Sequence, residues 1–145
     1  MNYYCAAAAT ALSIFFVSSA WADDASCLAG AKESGSFFSG RTYTAEDEFP
    51  GVSQAETFKR LDIYILKDGW RINQADREMG TISASQDVGG SEGKQTNLSV
   101  IVEPLGANGS KATATFQIGF GQVVVGVNVL KGLCGMLSGS GKPGD

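Results

Sequence analysis

Apolar residues at Ala55, Phe58, Leu61 and Ile65 recur at intervals of three to four along the middle of the chain, with Lys59, Arg60, Asp62 and Lys67 falling mostly elsewhere. That spacing lays one apolar stripe along a helix. Ser53-Gln54-Ala55-Glu56 supplies its start: the Ser53 hydroxyl can accept from the Glu56 amide while the Glu56 carboxylate reaches back to the Ser53 amide. Gly69 supplies its end, because a glycine just past Lys67 can take the left-handed conformation that closes a helix. The pattern predicts a helix over Ser53 to Lys67.

Elsewhere the period changes from that of a helix to alternation, the sign of half-buried strands. Phe37 to Thr44 suits a first strand, broken by Glu46-Asp47-Glu48 and Pro50-Gly51. Trp70 to Ala75 and Thr81 to Ser85 read as a hairpin closed by Asp76-Arg77-Glu78-Met79-Gly80. Leu98, Val100 and Val102, then a turn through Gly106, Asn108 and Gly109 into Ala112 to Ile118, read as a second hairpin. Asp87 to Gln95 holds three glycines and is expected to be a loop. From Phe120 to Leu137 helical spacing competes with Val123-Val124-Val125 and repeated glycines; helix is the reading adopted, with strand the alternative. Residues 23–36 form a small, polar lead-in, and Ser138 to Asp145 a glycine-rich flexible tail.

The fold class expected is α+β: an antiparallel sheet of four or five strands, the Ser53 to Lys67 helix across one face, and a second helix or strand near the carboxyl terminus. Phe58, Leu61, Ile65, Ile72, Ile82, Val100, Val102 and Phe116 should make the core of a single domain over residues 37–137. Trp70, sharing a strand face with Ile72 and Gln74, is expected at the edge of that core as a packing residue.

Residues 1–22 lack any charged side chain and hold an apolar stretch from Ala6 to Val17, followed by Ala20-Trp21-Ala22 and then Asp23-Asp24. This reads as a bacterial signal peptide cleaved after Ala22, and it gives a periplasmic or secreted address. Cys5 would leave with it. Cys27 and Cys134 then remain as an even pair in an oxidising compartment, expected to form a disulfide that ties the start of the domain to its end.

Charge and motif content narrow the function. With 15 acidic and 11 basic residues the net charge is -4, and the basic residues are scattered, which argues against nucleic acid. The absence of histidine removes the commonest general base and metal ligand. No cofactor, no metal site and no catalytic residue is assigned. Gly89-Gly90-Ser91-Glu92-Gly93 has the letters of a nucleophile elbow without the histidine such an elbow needs. Gly119-Phe120-Gly121 begins a dinucleotide fingerprint but has Val124 where a third glycine belongs. The apolar run over residues 118–137 contains Gln122, Asn128 and Lys131, and a lysine inside a span costs about 2.5 to 3.5 kcal/mol, so no transmembrane segment is expected in the mature chain. Glu46, Asp47 and Glu48 are the candidate partner-binding residues, an acidic run that could face a basic protein surface.

From Arg41 to Gln86 the strand, the capped helix, Asp68-Gly69-Trp70-Arg71-Ile72, Asp76, Gly80 and Thr81-Ile82-Ser83-Ala84 resemble the small α+β domains of bacterial envelope lipoproteins, one of which belongs to the outer-membrane β-barrel assembly machine. The resemblance implies fold and compartment and brings no catalytic residue. The function expected is that of a non-enzymatic binding or adaptor domain of the envelope with a protein partner. The alternative is a periplasmic inhibitor or immunity protein that blocks an enzyme or toxin.

Overall fold

A computed structural model describes residues 24–88 and 93–141. The signal-peptide and cleavage readings, the centre of the glycine-rich loop and the last four residues lie outside that range.

Among the described residues three helices and six strands follow the order α1 (Asp24–Gly30), β1 (Lys32–Ser36), β2 (Gly40–Phe49), α2 (Gln54–Lys67), β3 (Arg71–Asp76), β4 (Thr81–Asp87), β5 (Gln95–Leu105), β6 (Gly109–Ile118) and α3 (Gly126–Gly141). The strands form one antiparallel sheet ordered β1-β2-β6-β5-β4-β3. The α+β class is as expected, with a larger sheet than the four or five strands read from the sequence. The lead-in over 23–36 carries α1 and β1. The expected first strand starts later, at Gly40, because Phe37 to Ser39 are the turn between β1 and β2.

Alternation sorts the sheet into two unlike faces. Tyr43, Ala45 and Phe49 of β2, Ala112, Ala114 and Ile118 of β6, Leu98, Val100 and Val102 of β5, and Ile82 and Ala84 of β4 are buried on the side that carries the helices. The other side is dressed with hydroxyl and amide groups, as in the cross-strand row Thr44, Thr115, Ser99 and Ser83. From the helical layer Phe58, Leu61 and Ile65 of α2 and Leu133, Met136 and Leu137 of α3 complete the core. Six of the eight expected core residues are fully enclosed; Ile72 and Phe116 are partly buried against them.

Helix α2 begins where the capping pattern places it, with Ser53 Oγ accepting from the Glu56 amide at 3.3 Å. The reciprocal half of the box gives way to an ion pair: Glu56 Oε1 instead accepts from Arg60 Nε at 2.9 Å, one turn on. Ala55, expected on the buried stripe, is exposed, and Thr57 takes its place, its hydroxyl 2.7 Å from that of Ser110 in the core. Gly69 closes the helix at φ +86°. Helix α3 starts at Gly126, so Val123-Val124-Val125 belong to the loop before it, and it extends through Gly141 into the segment expected to be a flexible tail.

Cys27 on α1 and Cys134 on α3 form a disulfide, with Cα atoms 5.8 Å apart and a separation of 107 in sequence. It ties the first helix to the last across the core. Among the described residues no helix is long and apolar enough to cross a membrane.

Candidate functional site

The acidic run chosen from the sequence does not form one surface. On an extended strand consecutive side chains point to opposite faces, so Asp47 turns inward, buried between Ala45 and Phe49, while Glu46 and Glu48 face outward. Asp47 Oδ1 accepts from the Glu48 amide at 2.9 Å. Glu46 is engaged with Lys111, at 2.8 Å on the neighbouring strand, and that hydrogen-bonded cation holds its carboxyl below the ordinary range. What remains outward is Lys111 between two carboxylates, hydrogen-bonded to Glu46 and directly across the strands from Glu48, with Asp47 withdrawn to the other face.

A more promising concavity lies between α3 and the sheet. Asp68, Trp70, Leu98, Phe116, Val129, Gly132, Leu133 and Met136 line a half-open cleft of about 170 Å³. Four elements build it. The turn after α2 supplies Asp68 and Trp70; the start of β5 and the end of β6 supply Leu98 and Phe116 as cross-strand partners. Residues 129, 132, 133 and 136 recur at helical spacing and present one face of α3 to the opening. Gly132 is an exposed lining position where a Cβ would have nothing within 4 Å, so there is room for a side chain at the opening.

Trp70 stands at the edge of the core, half-buried. Its ring meets Phe116 edge-on with centroids 6.0 Å apart, and its indole N–H donates to Asp68 Oδ2 at 3.2 Å. The hydrogen bond fixes the wall of the cleft and places a carboxylate at its rim. The face assignment of the strand that follows needs correction. A β-bulge between Ile72 and Gln74 inserts Asn73 as an extra residue, so Gln74 pairs with Ser83 on the outer face and parts company with Ile72. Asn73 Oδ1 is held by the Ser85 hydroxyl at 3.2 Å.

The opposite end of the sheet has a wider depression of about 770 Å³ between the loop before α2 and the β5–β6 turn, lined by polar and small residues including Gly51, Ser53, Gln54, Glu56, Arg60 and Asn108. Its charged pair, Glu56 and Arg60, is satisfied internally. No group of acidic or cysteine side chains among the described residues is arranged to hold a metal ion.

Sequence reading found Trp70 as a packing residue and missed the cleft, since Asp68, Phe116 and Met136 are brought to it from distant parts of the chain. The signal available was the Asp68-Gly69-Trp70 turn, where an aromatic residue directly follows a helix-closing glycine.

The chain is similar in fold to CalU16 from Micromonospora echinospora. That crystal structure aligns with TM-score 0.53 and 13% identity, over 79% of this chain and 87% of the other. The crystal structure of Ara h 8.0201 aligns less well, with TM-score 0.47 and 14% identity over 69% of this chain and 95% of the other. No protein-family model matches the chain, and no curated protein matches its sequence.

Proposed function

We propose that this protein is an exported, non-enzymatic binding domain of the bacterial envelope, and that it anchors one bulky apolar side chain of a protein partner in the cleft beside Trp70. The observation that carries this reading is the size of the cleft. Pockets that enclose whole drug-sized molecules run to about 300–1,000 Å³, whereas an apolar cavity of about 150 Å³ accepts benzene. A cleft of about 170 Å³ therefore suits a single ring or branched side chain. Buried anchors of that kind dominate the energetics of protein interfaces.

The lining supports the same reading. Six apolar side chains offer burial, and Asp68 at the rim offers an acceptor for a donor or cation next to the anchor. Asp68 is also the one titratable side chain among the lining residues, so a general acid and base pair has no second member there. The inhibitor alternative drew on the small disulfide-bonded character of the domain and on the acidic run, of which Glu46 and Glu48 share the outer face and Asp47 turns inward, so the cleft is the better-built of the two surfaces.

Gly132→Leu tests the proposal because a Cβ at this lining position meets nothing within 4 Å, the added side chain takes up space at the opening, and leucine in a helix is favoured over glycine by about 1 kcal/mol. Peptides selected for binding from a random display library should share one large apolar residue and lose affinity for the variant. If the selected peptides bound Gly132→Leu as well as the original protein, the cleft would not be the site.

A further inference from the structure

Two turns at one end of the sheet carry aromatic rings into solvent. Phe37 and Phe38, between β1 and β2, are 42% and 79% exposed, and Phe120, between β6 and α3, is 65% exposed. The rings touch one another, with centroid separations of 5.5, 6.1 and 6.5 Å. The Gly121 amide donates to the Phe37 carbonyl at 3.4 Å and joins the two turns. Val123 and Val125 continue the apolar surface along the second loop, at 82% and 61% exposure.

These rings are not what closes the turn. Ser36 and Ser39 do that, each amide donating to the other's hydroxyl at 3.1 and 3.2 Å and the two hydroxyls lying 2.9 Å apart. The hydrogen bonding of the turn therefore does not depend on the phenylalanines, and a trio of exposed, touching rings marks a contact surface.

We infer that this aromatic tip docks the protein on a neutral phospholipid bilayer. Charge argues for that surface. No charged residue occurs from Ser34 to Gly40 or from Ala112 to Leu130. The nearest charges on the first turn, Glu33 and Arg41, pair with each other at 3.5 Å. A patch with no ions of its own, on a chain of net charge -4, matches uncharged headgroups over hydrocarbon and not an anionic surface. Area and shape argue the same way. At about 200 Å² per ring the three expose roughly 350–400 Å², and with Val123 and Val125 the patch stays short of the about 800 Å² each partner contributes to a stable protein interface. Rings exposed on two adjacent turns can enter the headgroup and acyl boundary to the roughly 5–10 Å at which interfacial apolar groups are buried.

The test uses the exported protein, its amino terminus established by intact mass, floated with vesicles of phosphatidylcholine. The protein should rise with the vesicles, with little dependence on salt. Replacing Phe37, Phe38 and Phe120 together by serine should lower the bound fraction by about tenfold or more while leaving the thermal midpoint near its original value. Absence of binding by the unaltered protein, or equal binding by the triple variant, would overturn the inference. So would a dimer in sedimentation equilibrium that the triple variant dissolves, since the tip would then be a contact between copies of the chain.

Discussion

The two ends of the sheet solve opposite problems. At the end holding the start of α2 and the β5–β6 turn, polar groups are closed against one another: Gln54 Nε2 donates to the Val102 carbonyl at 2.8 Å, Thr57 meets Ser110 at 2.7 Å, and the Val102 amide donates to Gly80 at 2.7 Å. Gly80 sits at φ +70° with the Val102 carbonyl so close that any side chain would collide with it. The other end leaves apolar surface open, in the Trp70 cleft and in the rings of Phe37, Phe38 and Phe120. Met79 and Leu105 are exposed at the first end as well, so the contrast is one of arrangement: three touching rings and a lined cleft at the other end form organised apolar surface, which points to contacts the isolated domain does not make.

Changes at each end should separate stability from binding. The largest effect belongs to the bridge that fixes α3, the helix forming one wall of the cleft. Replacing Cys27 and Cys134 by alanine should cost about 4–5 kcal/mol in urea unfolding, the chain-entropy value for so long a loop. Amide exchange should quicken in α3 before it does in the paired strands β5 and β6. Equal loosening of both ends would show that α3 and the sheet unfold as one unit.

Trp70→Ala comes next. Truncating a fully buried ring costs about 3–5 kcal/mol; for this half-buried one, about 2–3 kcal/mol is expected, together with loss of peptide binding. At the closed end, Thr57→Val strands the buried Ser110 hydroxyl and should cost about 1–2 kcal/mol with binding unchanged. A binding loss there would blur the distinction between the ends.

The smallest effect is that of pH on the outward pair of Glu46 and Lys111. The Glu46 carboxyl is lowered by the lysine, so its contribution to stability is present above the ordinary carboxylate pKa and fades as pH falls through the lowered value. The Lys111 ammonium is raised by Glu46, so its contribution holds below the ordinary lysine pKa and fades as pH rises through the raised one. Both side chains are substantially exposed, which keeps the effect slight. Glu46→Gln should flatten the acid limb of the stability profile by a small amount and leave the rest in place.

Much of the fold was legible because local chemistry and global structure agree. The Ser53 cap, the apolar stripe through Phe58, Leu61 and Ile65, and Gly69 define α2 without help from the rest of the chain. The hairpin of β5 and β6 announces itself in the alternation of Leu98, Val100 and Val102. Strand β1 does not, because Lys32 to Ser36 are exposed throughout and are strand only by pairing with β2. The start of α3 was obscured by three consecutive valines, whose branched side chains favour extended backbone up to Gly126. Alternation from Tyr43 and Ala45 would have placed Asp47 inside, but its neighbours Glu46 and Glu48 made the three look like one acidic patch. The cleft was the least legible feature: Trp70, Leu98, Phe116 and Met136 meet only once the helix is laid over the sheet.

The central claim, that the apolar end serves binding more than stability, is tested most directly by measuring the urea midpoint and the peptide affinity of Gly132→Leu on one preparation. A midpoint equal to or above that of the original protein, with affinity reduced by about tenfold or more, is the expected result. A raised midpoint with affinity unchanged would contradict it, because a filled cleft would then be only a repaired defect in packing.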